Sequence, residues 1–189
     1  MIINPITAIT ERWITHPKCS TLGDWKTHEF LAPNGVDFTI DNMYIINAHS
    51  PFIISKEGKQ MKGITELLPA THHRGGSFWL LSPHNSYDGK SDTYITVPDG
   101  IAALLITRSV FNRNGVFITS GLYDSGFNGH IGFMLHNMLG ETKIQPGVRI
   151  GQVIFVQAQT ASLYGGKWNH PEGTHYTQAA NVNILQEAV

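Results

Sequence analysis

The sequence predicts an all-β domain of barrel or jelly-roll type. The 19 glycines and 9 prolines among 189 residues interrupt many short runs of β-branched and aromatic residues. These runs are regularly spaced, as in barrels and jelly rolls. With 41% hydrophobic and 14% charged residues, the chain is long enough for one buried core and too short for two ordinary domains. We therefore expect a single domain over residues 1–189.

Eight segments carry the strand pattern, and they are residues 36–40, 43–46, 77–81, 94–97, 101–106, 115–118, 130–135 and 148–157. In the last segment the apolar positions change phase at Gly151, which predicts a β-bulge there. Residues 109–114, followed by Gly115, predict one helical turn that Ser109 caps and that ends at a glycine with positive φ. The polar stretch 56–76 predicts a surface loop with at most one short strand.

Charge and cysteine content narrow the classes of partner. Thirteen basic and 14 acidic residues give a net charge of −1, so we expect neither nucleic acid nor an anionic membrane as partner. The single cysteine, Cys19, excludes an internal disulfide and a cysteine-built zinc site. It favours a cytoplasmic location, in the host if the protein is viral. We expect no export signal and no membrane span, since no long apolar run is present.

The most informative segment is residues 121–133, Gly-Leu-Tyr-Asp-Ser-Gly-Phe-Asn-Gly-His-Ile-Gly-Phe. It places Asp124 in a turn between two apolar strands, where Gly126 and Gly129 permit a tight backbone. An aspartate in a turn is explained by an Asx turn alone. An ionised carboxylate next to a triphosphate can also take a proton from an attacking water. Both interpretations of Asp124 stay open on this segment.

Three further motifs accompany this turn in a fixed order. They are Gly-Val-Asp-Phe at 35–38, Arg-Ser-Val-Phe-Asn-Arg-Asn-Gly at 108–115 and Pro-Gly-Val-Arg-Ile-Gly-Gln-Val-Ile-Phe at 146–155. Together the four segments resemble the successive motifs of the dUTPase and dCTP deaminase superfamily. The resemblance is dense from residue 97 to about residue 178. It implies a distorted β-barrel of jelly-roll type, assembled as a homotrimer whose active sites lie between subunits.

The resemblance implies a phosphate-binding role for four residues. Arg108 and Ser109 match the phosphate-binding pair of the second motif, and Arg113 matches the second arginine of its deaminase form. Gln152 matches the glutamine whose amide contacts phosphate. A planar guanidinium can hold two phosphate oxygens at once. Without a ligand, the arginines are explained by an exposed helix end or a subunit salt bridge, and Gln152 by an outward-facing strand position.

The resemblance also implies residues around the reacting group. Asp124 matches the aspartate that in dUTPases orients and deprotonates the attacking water, and Phe127 matches the aromatic residue that packs on the deoxyribose. The pyrimidine is read by backbone groups of residues 118–121, including Ser120 and Gly121. Asp37 matches an aspartate that supports Mg²⁺, the implied cofactor, through bound waters. Otherwise Asp37 is a strand-end aspartate in a turn.

The tail, residues 164–189, resembles the closing segment of dCTP deaminases. In that segment a tyrosine, a basic residue and a glutamine surround the triphosphate, which implies roles for Tyr164, His175, Tyr176 and Gln178. His175 stands where the pattern usually has lysine, so the charge of the tail would depend on pH near neutrality.

One departure from the deaminase pattern concerns the reaction itself. The glutamate that activates water for attack on the cytosine ring is replaced here by Met134, which has no titratable proton. We therefore expect a magnesium-dependent pyrophosphatase that converts dUTP to dUMP and pyrophosphate. The alternatives are a dCTP deaminase, with or without subsequent hydrolysis, and a nucleotide-binding or partner-binding protein of the same fold that has lost turnover.

Overall fold

The computed structural model describes residues 1–71 and 75–166. In this part of the chain strands predominate, and the predicted all-β class is confirmed. The helices are α1 (Pro5–Thr10), α2 (Leu22–Thr27) and α3 (Ser109–Arg113). The strands are β1 (Ile14–Thr15), β2 (Val36–Thr39), β3 (Asn42–Ile46), β4 (Ile53–Ile54), β5 (Lys59–Gln60), β6 (Ile64–Glu66), β7 (Ala70–Thr71), β8 (Ser77–Leu81), β9 (Asn85–Thr96), β10 (Ile101–Thr107), β11 (Val116–Thr119), β12 (Asn128–Asn137), β13 (Thr142–Ile144) and β14 (Arg149–Gln157).

The strands form two main sheets. The larger has the order β11-β12-β9-β3-β6, with β1 added on β9, and the second has the order β10-β14-β2. Two smaller sheets, β13-β8-β7 and the hairpin β4-β5, complete the described part, and the neighbouring strands pair antiparallel. These sheets do not close into one continuous barrel among the described residues.

The hydrophobic core lies between the two main sheets. Phe38 of β2 packs against Phe133 of β12 at 5.5 Å between ring centroids, and both are buried. Strand β12 alternates half-buried and buried residues along its whole length, as a strand does when only one face covers a core. The other face of β12 therefore remains available for a site. No helix among the described residues is long and apolar enough to cross a membrane.

Strand β9 is longer than its sequence suggests. The prediction covered residues 94–97, whereas the strand begins at Asn85. Residues 85–93 are mainly polar, but residues 85–90 pair with β12 on one side, and residues 87–90 also pair with β3 on the other. Two neighbouring strands thus satisfy the backbone groups of a segment whose side chains alone do not predict a strand.

The predicted bulge in β14 is confirmed. The pairing of β14 with β2 runs from Arg149 opposite Thr39 to Gly151 opposite Phe38, so Ile150 is the extra residue. A Cβ atom on Gly151 would lie 2.6 Å from Ile118 Cδ1 and 2.8 Å from the Phe38 ring. Glycine is therefore required here because two core side chains approach its backbone closely.

The helical turn after β10 is also present, with one correction. Its N-cap is Arg108, which makes no side-chain capping bond, and Ser109 is the first helical residue. Gly115 follows the turn with φ +71°, as predicted. Helices α1 and α2 were not predicted. Asn4 caps α1 by accepting from Ile6 N at 2.9 Å, and Thr21 forms a capping box with Asp24 in α2.

The stretch 56–76 contains more strand than predicted. Strands β5, β6 and β7 lie within it. β6 pairs with β3 at the edge of the larger sheet, whereas β4 and β5 form a two-stranded hairpin. Composition could not predict these pairings because each strand has only two or three residues.

Candidate active site

Asp124 lies on the turn that leads into β12, and its side chain is exposed. The preceding residue, Tyr123, is buried and exchanges two backbone hydrogen bonds with Ala103 of β10, at 2.9 and 3.1 Å. Phe127 N then donates to Asp124 O at 3.0 Å, which closes the turn, and Gly126 at its third position has φ +88°. The fold thus presents this carboxylate to solvent from a well-defined turn.

The turn is fixed from beneath by Ser125 and Gly126. Ser125 Oγ donates to Ile101 O at 2.5 Å and lies 2.6 Å from Thr160 Oγ1. Gly126 N donates to Val97 O at 2.7 Å. Because these partners belong to β10, to the segment before it and to the segment after β14, the position of Asp124 is tied to the second main sheet. Rigid positioning of this kind is what a general base requires.

The segment before Asp124 leaves the sheet. The pairing of β11 with β12 ends at Thr119 opposite Met134, and the next residues, Ser120, Gly121 and Leu122, are exposed. Instead of a further backbone pair, the Tyr123 hydroxyl donates to Gly132 O at 2.5 Å and accepts from Gly132 N at 3.1 Å. The predicted pyrimidine-reading backbone of Ser120 and Gly121 therefore lies where two strands separate.

Met134 lies on the half-buried face of β12. Thr119 of β11 is directly opposite on one side and Asp88 of β9 on the other. Directly opposed residues of antiparallel strands share a face, with side chains about 5 Å apart. The position of the expected glutamate is thus apolar, but a buried carboxylate, Asp88, lies one strand away.

A hydrogen-bonded triad lies beside Met134. His136 Nε2 is 2.9 Å from Thr119 Oγ1, and His136 Nδ1 is 2.8 Å from Ser86 Oγ. Both ring nitrogens are therefore engaged, and the two hydroxyls can each donate or accept. The triad fixes Thr119, the last paired residue before the exposed segment.

Phe127 and Tyr164 lie together beneath the Asp124 turn. Phe127 is only 8% exposed, and its ring packs against Tyr123 at 4.9 Å and against Tyr164 at 5.8 Å. Tyr164 N donates to Ser125 O at 2.7 Å. The structure thus brings three predicted site residues, Asp124, Phe127 and Tyr164, into one neighbourhood. Tyr164 covers one side of the aromatic ring that was expected to contact a deoxyribose.

A second group of predicted residues surrounds Asp37. Arg108 Nε is 3.6 Å from Asp37 Oδ2, and Arg149 Nη1 is 3.5 Å from the same oxygen. Gln152 is directly opposite Asp37 in the β14–β2 pairing. Arg149 also donates from Nη2 to Glu29 Oε2 at 2.7 Å and from Nη1 to Glu29 O. A network of carboxylates and arginines therefore joins α3, β2 and β14.

The environment of Asp37 does not suit a metal. Its side chain is 4% exposed, and one oxygen faces two guanidinium groups. Burial raises the pKa of the Asp37 carboxyl above its ordinary value, while the neighbouring side chains of Gln152, Arg108 and Arg149 act in the opposite direction. A Mg²⁺ ion prefers accessible oxygen ligands with room for several waters. No group of three or more acidic, histidine or cysteine residues that could hold a metal occurs in the described part of the chain.

The remaining predicted residues have simpler surroundings. Ser109 and Arg113 are exposed on α3, and Gln152 is half-buried on β14. Arg113 is in the last turn of α3, where a cation also complements the helix dipole. His175, Tyr176 and Gln178 lie outside the described residues.

Within the chain the two groups lie at opposite ends of β10. The Asp124 turn is anchored at Ile101 and Ala103, and Arg108 follows the other end of the strand. Five residues of extended chain between Ala103 and Arg108 span about 16 Å. A single chain therefore does not bring its own Asp124 and Arg108 to the same phosphate group.

Sequence reasoning missed several residues of these groups. Arg149 belongs to the motif at 146–155, so its importance was visible, although it was not selected. Tyr123 belongs to the segment 121–133, although its contacts were not foreseen, and Glu29, with φ +55°, lies outside the motifs. Their contacts join segments far apart in the chain, which only the tertiary structure can reveal.

Comparison with known proteins agrees with this architecture. A dUMP-forming dCTP deaminase of Bifidobacterium longum (strain DJO10A) is 28% identical over 161 residues, covering 82% of this chain and 80% of that protein. A protein named "Probable deoxyuridine 5′-triphosphate nucleotidohydrolase" of Methanothermobacter thermautotrophicus is 28% identical over 142 residues, covering 74% of this chain and 88% of that protein.

A solved structure shows the same fold. The 2′-deoxycytidine 5′-triphosphate deaminase of Agrobacterium tumefaciens superposes with a TM-score of 0.57 at 11% identity, over 82% of this chain and 47% of that chain. This chain thus spans about half the length of that protein. The sequence profile of the family described as dCTP deaminase-like matches residues 18–158. The chain belongs to the dCTP deaminase-like family.

Proposed function

We propose that this chain is a magnesium-dependent pyrophosphatase of deoxypyrimidine triphosphates that converts dUTP to dUMP and pyrophosphate. The observation that carries the proposal is the contrast between two positions of one hairpin. Asp124 presents an exposed carboxylate on a well-anchored turn, whereas Met134 occupies the place of the deaminating glutamate. Hydrolysis of the triphosphate needs a general base at the first position and nothing at the second.

The reaction follows from the chemistry of a carboxylate. Asp124 takes one proton from a water molecule while the water oxygen forms a bond to the α-phosphorus. The bond between the α-phosphorus and the oxygen that bridges to the β-phosphorus breaks. Pyrophosphate leaves with that bridging oxygen, and dUMP keeps the oxygen of the water. This reaction does not require a proton acceptor beside the pyrimidine ring.

The phosphate-binding residues of the proposal are Arg108, Ser109, Arg113 and Gln152. In support, the first three lie together at the start of, or within, α3, and an arginine fork suits a phosphate. Phe127 and Tyr164 are proposed to line the sugar side, and His175, Tyr176 and Gln178 to close over the triphosphate. The backbone of Ser120 and Gly121 is proposed to read the pyrimidine.

We propose a homotrimer in which each site combines residues of two chains. The separation of about 16 Å along β10 supports this proposal, since Asp124 and Arg108 of one protomer cannot meet. Apolar side chains on this part of the surface also support it. Leu104 and Ile106 of β10 are 37% and 46% exposed, and Leu122, beside the Asp124 turn, is 54% exposed. Such residues at the edge of a site suit a subunit interface.

Magnesium is proposed to enter with the substrate. Triphosphate oxygens are hard ligands that bind Mg²⁺ while it keeps several waters, so the described residues need not supply a direct ligand. We propose a cytoplasmic location on the grounds of the buried, free Cys19. Burial, with the nearby carboxylates of Asp24 and Asp92, raises the pKa of this thiol to about 11, so it stays in the unreactive thiol form.

A second candidate function is dCTP deamination, and two observations favour it. Relatives of the chain are named dUMP-forming dCTP deaminases, and Asp88 places a carboxylate directly across from Met134 on the same face. Under this alternative, Asp88 would replace the missing glutamate as proton acceptor. Asp88→Asn would then abolish ammonia release from dCTP.

The deciding experiment measures pyrophosphate and ammonia released from dUTP, dCTP and dTTP with Mg²⁺. The proteins compared are the wild type, Asp124→Asn, and the control Asp41→Asn, which removes a carboxylate paired with Lys90. Pyrophosphate from dUTP without ammonia, lost only in Asp124→Asn, is expected. Ammonia from dCTP establishes the deaminase instead. Binding without product from any of the three nucleotides indicates a non-catalytic binding protein.

A further inference from the structure

The bulge in β14 builds the cluster around Asp37. In a regular strand Arg149 and Gln152, three residues apart, would point to opposite faces. The extra residue Ile150 reverses the phase between them, so that Arg149 is opposite Thr39 and Gln152 is opposite Asp37. Since Asp37 and Thr39 share a face of β2, both β14 side chains face the side on which Asp37 lies.

Both terminal nitrogens of Arg149 make contacts within the protein. Its Nη1 approaches Asp37 Oδ2 and donates to Glu29 O, and its Nη2 donates to Glu29 Oε2 at 2.7 Å. The Arg149 side chain is 25% exposed. Its guanidinium therefore joins β14 to β2 and to the turn at Glu29.

The contacts of Arg108 have the opposite character. Its Nε faces Asp37 Oδ2 at 3.6 Å, and its Nη1 donates to the carbonyl of Arg149 at 3.3 Å. Its Nη2 makes no hydrogen bond within residues 1–71 and 75–166. Two contacts thus fix the plane of the guanidinium, while one donor group remains directed away from them. The Arg108 side chain is 32% exposed, so this group is accessible.

We propose that Asp37 is a positioning residue that fixes the Arg108 guanidinium for a phosphate of the substrate, and that it does not support magnesium. The inference rests on the proposed function. Its physical reason is that Asp37 is the buried anion between two arginines. A divalent cation at this carboxylate would be repelled by both guanidinium groups. The oriented Arg108 instead contributes directly to phosphate binding.

The two possible roles of Asp37, positioning Arg108 or supporting magnesium, predict different results in the absence of metal. The proteins are the wild type, Asp37→Asn, Arg108→Gln, the double variant, and Asp41→Asn as control. Affinities for inorganic tripolyphosphate and for dUTP are measured by calorimetry in EDTA. A positioning role predicts that Asp37→Asn weakens tripolyphosphate binding about tenfold. It also predicts that this effect disappears in the Arg108→Gln background, because Asp37 acts through Arg108.

The magnesium dependence provides the second readout. If Asp37 positions Arg108, the Mg²⁺ concentration for half-maximal pyrophosphate release stays the same in Asp37→Asn and in the wild type. A rise in that concentration, with metal-free affinity unchanged, overturns the inference. An undiminished effect of Asp37→Asn in the Arg108→Gln background also overturns it.

One further measurement keeps the test decisive. If Asp37→Asn does not fold, the wild type is titrated with Mn²⁺ without nucleotide, and no paramagnetic broadening of resonances around Asp37 is expected; broadening there refutes the inference. Tripolyphosphate carries no base, so its binding reports on the arginines even if dUTP is not the substrate. If the wild type does not hydrolyse dUTP, this result counts against the proposed function alone.

Discussion

The hydroxyl of Tyr123 completes the hydrogen bonding of Gly132 by donating to its carbonyl at 2.5 Å and accepting from its amide at 3.1 Å. In a longer ladder these groups would bond the backbone of the strand that continues β11. The side chain thus replaces one strand pair and allows residues 120–122 to leave the sheet. The same residue is bonded to Ala103 through its backbone, immediately before Asp124.

The variant Tyr123→Phe tests whether the Tyr123 hydroxyl takes the place of a strand pair at Gly132. The amide and carbonyl of Gly132 lose their partner, and we expect the free energy of unfolding to fall by about 1–3 kcal/mol. Pyrophosphate release should fall as well, because Asp124 follows directly. Chemical denaturation checks the first effect. Tyr94→Phe is the matched control, since the Tyr94 hydroxyl makes no hydrogen bond in the described part of the chain. Equal stability of the two variants would contradict the interpretation.

Gly151 makes the bulge possible, and Gly151→Ala should disturb both the core and the Asp37 cluster. The added methyl group would contact Ile118 Cδ1 and the Phe38 ring at 2.6 and 2.8 Å. Overpacking of this kind costs about 1–3 kcal/mol. Thermal unfolding and tripolyphosphate binding are the measurements. Gly140→Ala serves as control because its added Cβ meets nothing within 4 Å. Unchanged stability and binding in Gly151→Ala would show that the site relaxes without cost.

Residue 134 is directly opposite Asp88, so a glutamate at position 134 would face a second carboxylate. We expect Met134→Glu to be less stable than Met134→Gln by about 1 kcal/mol at neutral pH, because like charges directly opposite each other on a sheet repel. The difference should shrink as added salt screens the two carboxylates. Urea denaturation of both variants at low and at high salt measures it. A salt-independent difference would mean that shape, rather than charge, distinguishes the two side chains.

The pair of His16 and Asp92 makes stability depend on pH in a defined direction. His16 Nε2 lies 3.1 Å from Asp92 Oδ1, and the His16 side chain is 1% exposed. Burial alone would raise the pKa of Asp92, but the adjacent His16 side chain, with smaller effects of Thr39 and Lys18, lowers it below its ordinary value of 3.8.

A carboxyl whose pKa is lowered in the folded state stabilises that state above the unfolded pKa, and the contribution disappears as the pH falls through the folded pKa. Asp92→Asn should therefore lower the melting temperature at pH 6 more than at pH 3. Melting curves of wild type and variant across this range measure the effect, with Asp41→Asn as control. A gap that widens toward acid pH would refute this assignment.

Much of the fold was predictable because its local patterns are strong. Alternating apolar residues indicated β12, and the phase change at Gly151 indicated the bulge. The beginning of β9 was not predictable, since residues 85–90 are mainly polar and form a strand by pairing with β12 and β3. Ser109 was expected to cap α3, but the chain bends one residue earlier, where Arg108 N donates to Ile150 O at 3.0 Å.

The candidate site was predictable in its members more than in its arrangement. Motif resemblance selected Asp124, Phe127, Arg108 and Gln152, and it also selected Asp37 as a support for magnesium. The geometry around Asp37 favours a different role, because its neighbours are two arginines. Side-chain type indicates what a residue can do, whereas its charged neighbours determine what it does.

The sequence by itself determined the strand-rich class, the order of the motifs, the carboxylate of the 124–127 turn and the absence of a titratable group at residue 134. These properties depend on residue identity and on contacts between near neighbours in the chain. Only the tertiary structure decided that Tyr123 ends a strand pairing and that Arg149 shares Asp37 with Arg108. It also decided that Asp124 and Arg108 lie at opposite ends of β10. These relations depend on strand register and on side-chain direction across sheets, which residues distant in the chain set together.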